Sequence, residues 1–348
     1  METKIISVRE NDNLTPILKP VADIIKKGGL VVFPTETVYG IGADATDSSA
    51  TSKIYEAKGR PSDNPLIIHI ANPTDAEGYA FTNSLYYLLA EKFMPGPLTV
   101  ILPARNTVPM RTRGGLETVA VRCPQNEVAR ELIRLSGVPI AAPSANLSGS
   151  PSPTDVTHVI DDMLGRVDVI LDGGNCDFGL ESTIIQIDSE KSVTLLRPGK
   201  ITVEDLEACG ISVNIAEAVT EALKSDERAI SPGMKYKHYA PKTPLVLIEG
   251  DAENIALYLK SEVSSKIAVI SYEEDMDVFK GIIPGADIYS FGRRDDETFQ
   301  AHNLFKLLRD TDKNNYDIIY APLPRTSGIG LALYNRMIRA AAHKIIRM

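Results

Sequence analysis

The stretch Leu30-Val31-Val32-Phe33, running directly into Pro34-Thr35-Glu36-Thr37-Val38-Tyr39-Gly40-Ile41-Gly42, constrains the fold most tightly. A short apolar run ending in proline and a cluster of hydroxyl and acidic side chains reads as a buried strand opening into a polar loop. Two glycines behind that loop allow a tight turn or a close approach to a ligand. The pattern predicts either the floor of a pocket in an α/β domain or an ordinary strand-to-helix connection.

The flanking residues extend the α/β pattern. Ile17, Leu18, Val21, Ile24 and Ile25 follow helical spacing, and Gly28-Gly29 stops that helix before the strand. Asp47 or Ser48 caps a second helix, which ends at Lys58-Gly59-Arg60-Pro61. Leu66 to Ile70 reads as a buried strand. A helix presents Leu85, Leu88, Leu89 and Phe93 on one face until Pro95-Gly96-Pro97, and Leu98 to Leu102 is a further strand. From Thr118 to Cys123 the residues alternate, so Arg122 shares a face with Thr118 and Ala120, and a guanidinium on an interior strand requires an anion. A helix carrying Val128, Leu132 and Leu135 leads to a strand from Val138 to Ala141, which opens into Pro143-Ser144-Ala145-Asn146. Strands follow at Val169–Leu171, Thr183–Ile187 and Thr194–Leu196.

A chain of 348 residues exceeds one ordinary core and predicts two domains. Residues 1–212 form the first. The polar, proline-flanked stretch 213–243, containing Ser231-Pro232-Gly233-Met234-Lys235-Tyr236-Lys237-His238-Tyr239-Ala240-Pro241, reads as a linker, and its Tyr, His and Lys content suits a lid. Residues 244–348 alternate strands (Leu245–Ile248, Ile267–Ile270, Asp287–Ser290, Asp317–Tyr320) with helices (near 254–263, 298–308 and 328–346), which predicts a small Rossmann-like parallel sheet.

Several chemistries are excluded by spacing. There is no phosphate loop of the G-x-x-x-x-G-K-[ST] type, no G-x-S-x-G elbow, and no zinc spacing among the histidines or the three cysteines. Gly40-Ile41-Gly42-Ala43-Asp44-Ala45 fits G-x-G-x-x-A but lies too far past its strand to be a dinucleotide fingerprint. Gly328-Ile329-Gly330 stands at a helix start, where packing is the favoured reading over an anion site. A formal charge of -9 argues against a dedicated nucleic-acid binder while leaving room for a local basic pocket. The N-terminus has no signal-peptide core and no window reaches membrane-spanning length, which predicts a cytoplasmic protein.

What remains is a set of cations and hydroxyls at strand and helix ends. Lys58 and Arg60 serve either the helix C-terminus or an anion. His69 is either a satisfied core histidine or a ligand contact. Ser144 and Asn146 either cap the next element or face a substrate. With Ser182 and Arg197 they describe a pocket suited to a polyphosphate and a small carboxylate.

The segments PTETVYGIGADA, KGRP-x-x-NPL, PGPLT, VAVRCP, PSANLSGSPSPT, ESTII, LLRPG and SPGMKYKHYAP occur in the order of the two-domain threonylcarbamoyl-AMP synthases of the YrdC-like family, which the chain resembles. The resemblance covers the first domain and the linker; the second agrees in architecture only. It implies a YrdC-like twisted mixed sheet in the first domain. It also implies a nucleotidyltransferase making threonylcarbamoyl-AMP and pyrophosphate from L-threonine, bicarbonate and ATP, with Mg²⁺ carried on the ATP phosphates. The product supplies the threonylcarbamoyl group placed on adenosine 37 of tRNA by other enzymes; direct tRNA binding is left open. By the resemblance Thr35, His69, Arg122, Ala142 and Ser182 surround threonine, and Lys58, Arg60, Asn64, Thr118, Ser144, Ser152, Arg197 and Tyr236 surround ATP. The pairs Lys58/Arg60 and Ser144/Asn146 are the catalytic signature. Gln186 departs from the family, which often has an acidic residue there. A non-catalytic RNA-binding module and a carbamoyltransferase using carbamoyl phosphate are the alternatives.

Overall fold

The structure is a computed structural model and describes residues 2–9, 11–221, 231, 238–262 and 266–348, with Glu262 described by its backbone alone. The chain separates into two compact units, chiefly Met1–Ser148 with Ser152–Val219, and Tyr236–Met348. Residues 222–230 and 232–237 of the predicted 213–243 linker, Tyr236 among them, lie outside the described residues.

The first unit runs β1 (Lys4–Ser7), α1 (Leu14–Lys26), β2 (Val31–Phe33), β3 (Gly40–Asp44), α2 (Ser48–Lys58), β4 (Ile67–His69), α3 (Ser84–Phe93), β5 (Leu98–Pro103) and β6 (Thr118–Arg122). It continues through α4 (Glu127–Ser136), β7 (Ile140–Ala141), α5 (Val156–Met163), β8 (Val169–Asp172), β9 (Thr183–Ile187), β10 (Ser192–Arg197), α6 (Val203–Glu207) and β11 (Ser212–Ile215). Its strands form one mixed sheet of eleven in the order β1-β8-β2-β3-β7-β4-β6-β5-β9-β10-β11. The predicted polar loop is shorter than expected, because Gly40 to Asp44 is a strand whose first three residues pair antiparallel with β2. Glycine is required at position 42: a Cβ there would stand 2.6 Å from both Phe33 and Ile140. Helices α1 and α4 bury Leu18, Val21, Ile25, Leu132 and Ile133 in a core shared with Val31 and Phe33 of β2. Asp47 caps α2 by accepting from the Ser49 N–H, and Gly59, left-handed at φ 61°, lets the chain leave that helix sharply.

One local expectation needs correction. Leu88 is 41% exposed, and the buried stripe of α3 is Leu85, Tyr86, Leu89 and Ala90, with the Tyr86 hydroxyl donating to the Pro73 carbonyl. Helix α5 occupies a stretch given no element above, and is started by Asp155 accepting from the N–H groups of Thr157 and His158.

The second unit comprises β12 (Leu245–Glu249), α7 (Ala252–Glu262), β13 (Ile267–Ser271), α8 (Met276–Ile282), β14 (Asp287–Ser290), α9 (Glu297–Asp312), β15 (Ile318–Pro322), α10 (Gly328–Ala340) and β16 (Ile345–Arg347). Its five strands pair in parallel in the order β14-β13-β15-β12-β16. The last helix is shorter than its apolar pattern predicts. The His343 N–H donates to the Ile338 carbonyl, Ala342 and His343 take positive φ, and Ile345 onward joins β12 as a strand. At the helix start the Gly330 N–H donates to Glu297 Oε2 at 2.9 Å, so a side chain already occupies the place an anion would take.

Candidate functional site

Strand register creates the site. Residues directly opposite in neighbouring strands project to the same face. His69 of β4 is opposite Arg122 of β6, and Arg122 is opposite Thr99 of β5. Thr99 is in turn opposite Ile184 of β9, and Ile184 is opposite Arg197 of β10. Five adjacent strands thus set His69, Arg122, Thr99, the apolar Ile184 and, past a register shift between Leu195 and Arg197, Arg197 in one transverse row. The row behind it is apolar, with Ile67, Ala120 and Ile101 in one cluster that also holds Ile184 and Leu196. That cluster fixes which way the polar row faces. Thr118, on the same face of β6, lies four residues from Arg122, roughly 13 Å along the strand.

Arg122 is 4% exposed, and its Nη2 donates to Glu36 Oε1 at 2.7 Å. Nε has only a long contact of 3.5 Å to the Gly96 carbonyl, and Nη1 has no partner among the described residues. Glu36 is 4% exposed, and its Oε2 is buried without a hydrogen-bond partner among the described residues. Thr35 ties the loop down: its Oγ1 donates to the Val38 carbonyl, accepts from the Thr37 and Val38 N–H groups and lies 2.9 Å from Thr37 Oγ1. The carbonyls of Glu36 and Thr37 also accept from the N–H groups of Phe178 and Gly179. His69 is fully buried beside Arg122. Burial first, and then that guanidinium, push its pKa down to about 3, which leaves it a neutral imidazole. Its Nδ1 has no partner, and its ring meets Phe33 edge-on.

Ser182 is anchored from two sides: its Oγ lies 2.8 Å from Thr99 Oγ1 and accepts from Arg197 Nη2 at 3.1 Å. Arg197 Nε also donates to the Ser182 carbonyl. The backbones approach so closely that a Cβ on Gly199 would lie 2.6 Å from the Thr183 nitrogen. One residue earlier, Glu181 is buried and accepts from Ser152 Oγ.

Lys58 organises a second group. Its Nζ, buried at the end of α2, donates to the Ser144 carbonyl and to the carbonyl and Oδ1 of Asn146. Ser144 Oγ donates to the same Oδ1, and the Asn146 amide donates to the Leu147 carbonyl. Gly40 bridges to Ser144, and the Ala142 N–H donates to the Ile67 carbonyl, which joins this loop to β3 and β4. Arg60 and Asn64 lie just past α2: Arg60 Nη2 donates to the Pro65 carbonyl, and Asn64 Oδ1 is buried without a partner. Tyr236 lies outside the described residues.

Thr35, His69, Arg122 and Ser182 thus fall within one connected network, Lys58, Ser144 and Asn146 within another, and Gly40 joins the second to the polar loop. Sequence reasoning missed Glu36, Thr99 and Glu181. Glu36 and Glu181 stand inside the motifs PTETVYGIGADA and ESTII, so the available signal was a carboxylate in a hydroxyl-rich loop. Among the described residues no group of three or more His, Cys, Asp or Glu side chains is arranged to hold a metal, and no helix is long and apolar enough to cross a membrane.

A family model described as telomere recombination matches residues 23–199, and one described as the C-terminal domain of threonylcarbamoyl-AMP synthase matches residues 201–342. A threonylcarbamoyl-AMP synthase from Pyrococcus abyssi is 42% identical, covering 99% of this chain and all of its own. One from Bacillus subtilis is also 42% identical, with both chains covered in full. The crystal structure of P. abyssi Sua5 complexed with L-threonine superposes with a TM-score of 0.89 at 41% identity, covering 99% of each chain.

Proposed function

The chain belongs to the threonylcarbamoyl-AMP synthase family and is thus an enzyme of the nucleotidyltransferase type, and we propose that its first unit joins L-threonine, bicarbonate and ATP into threonylcarbamoyl-AMP and pyrophosphate. The observation that carries this reading is the transverse row of His69, Arg122, Thr99 and Arg197, with a guanidinium that keeps one prong open.

In this reading Arg122 takes the threonine carboxylate, with neutral His69, Thr35, Ala142 and Ser182 shaping the rest of that subsite. ATP lies toward Lys58, Arg60, Asn64, Thr118, Ser144, Ser152 and Arg197; the Tyr236 contact belongs to the same reading and falls outside the described residues. The threonine nitrogen attacks carbon dioxide or bicarbonate, and the carbamate oxygen then attacks the α-phosphorus as pyrophosphate leaves. The protein contributes positioning and charge neutralisation. Lys58 is held rigidly by Ser144 and Asn146, so its charge is aimed before ATP arrives. Apart from Glu36 and Glu181, which are bonded to Arg122 and Ser152, the side chains around the site are cations and hydroxyls, a set that suits magnesium arriving on phosphate oxygens and not a protein cage; the ion would supply further neutralisation of phosphate charge. The product would feed the threonylcarbamoyl modification of adenosine 37 in tRNA.

The test is pyrophosphate release from ATP, which should require both L-threonine and bicarbonate. Release that ignores either one ends the reading, and activity on carbamoyl phosphate without bicarbonate would favour the carbamoyltransferase. Arg122→Ala should raise the KM for threonine by about 10- to 100-fold, the loss of one charge-assisted contact.

A further inference from the structure

Glu36 is the one carboxylate bonded to Arg122, and it has no part in the reaction outlined above. A buried carboxylate oxygen without a hydrogen-bond partner is unfavourable unless something arrives to fill it. Here the vacancies are matched: among the described residues Glu36 Oε2 lacks a donor and Arg122 Nη1 lacks an acceptor, on two groups joined at 2.7 Å. An α-amino acid is the complement, since it carries an ammonium and a carboxylate on neighbouring carbons.

We propose that Glu36 receives the α-ammonium of the amino-acid substrate on Oε2, so that Glu36 and Arg122 together read the zwitterion. This rests on the synthase reading for the identity of the amino acid. Charges then alternate around a closed ring (Glu36, ammonium, carboxylate, Arg122), and the buried site stays neutral overall when substrate binds. Neutral His69 fits the arrangement, because a second cation beside Arg122 would draw the substrate carboxylate away from that register. Glu36 also supplies a proton acceptor. The nitrogen must lose a proton before it can attack: the N–H bond breaks, its electron pair stays on nitrogen, and the proton forms an O–H bond on Oε2. Glu36 becomes neutral, and Arg122 keeps the substrate carboxylate as its counter-ion.

The test is calorimetric binding of L-threonine and of 2,3-dihydroxybutanoate, in which a hydroxyl replaces the amine, to the unaltered protein and to Glu36→Gln. The unaltered protein should prefer threonine by about 10- to 100-fold, the range of a charge-assisted hydrogen bond. Glu36→Gln should close that gap by weakening threonine alone. Glu36→Asp, which keeps a charge near Arg122 but withdraws the reaching oxygen, should close it in part. Equal weakening of both ligands would mean that Glu36 acts only by positioning Arg122, and would overturn the proposal. An unaltered protein that binds both ligands alike overturns it without any variant. Heats of binding do not depend on turnover, so a protein that discriminates in this way yet releases no pyrophosphate would end the synthase reading and leave Glu36 in its role.

Discussion

The two units solve the problem of burying a sheet in opposite ways. In the second, the three inner strands of a parallel sheet of five carry nearly continuous apolar runs, and Leu245–Ile248 and Ile267–Ile270 are buried throughout. Its core around Val246, Ile248, Leu259, Val269 and Phe279 is apolar, as a sheet flanked by helices requires. In the first unit antiparallel strands β3, β7, β5 and β10 interrupt the parallel pairings, and charged residues face inward: Lys58, Arg122 and Arg197 are all below 9% exposed. Buried cations detract from stability unless anions meet them, so the first unit gives up stability for chemistry in its sheet; the second unit also buries cations, Arg336 and Arg339, but carries them on helix α10 and keeps the core against its sheet apolar.

Four experiments test that contrast. The largest effect belongs to Arg122→Ala, which strands the Glu36 carboxylate in the interior. Urea unfolding should show a loss of about 3–5 kcal/mol, and the double variant Glu36→Gln/Arg122→Met should recover most of it. A loss no larger than that of a surface ion pair would mean that water reaches the pair freely. Next, Leu259→Ala in the apolar core should cost about 2–5 kcal/mol by leaving a cavity, with the affinity for L-threonine unchanged. A fall in that affinity would contradict the separation of chemistry from packing.

His69 gives a smaller, pH-dependent effect. Its folded pKa of about 3 lies below the ordinary 6.5, so only the unfolded chain takes up the proton across that window. Its contribution is therefore complete above pH 6.5 and is lost as pH falls, by about 1.4 kcal/mol per pH unit. His69→Gln should flatten that slope in urea titrations, and an unaltered slope would assign it to other groups. Smallest is Asp47→Ala, which removes the cap of α2 and should lower stability by about 1 kcal/mol, read as a shift in Tm.

Legibility followed the distance over which each feature is decided. Arg122 could be assigned to an inward face because alternation within Thr118–Cys123 is local, and Asp47 and Gly59 mark the ends of α2 by their own chemistry. Glu36 could not be paired with Arg122, since 86 residues separate them and no periodicity links them. The motifs contain both Ser182 (in ESTII) and Thr99 (in PGPLT), yet only Ser182 drew a role, because that of Thr99 exists only through the β5–β9 register. The C-terminal helix was over-extended for a related reason: Ile345 and Ile346 continue an apolar pattern, and only the open edge of β12 makes them a strand.

By itself the sequence determined the elements and their breaks, because period, capping and proline or glycine placement act within a few residues of the chain. It also determined that cations and hydroxyls collect at strand and helix ends. The tertiary structure alone decided which of them meet, because the order and register of eleven strands depend on every neighbour at once. That register sets His69, Arg122, Thr99 and Arg197 side by side and leaves one carboxylate oxygen and one guanidinium nitrogen open next to each other.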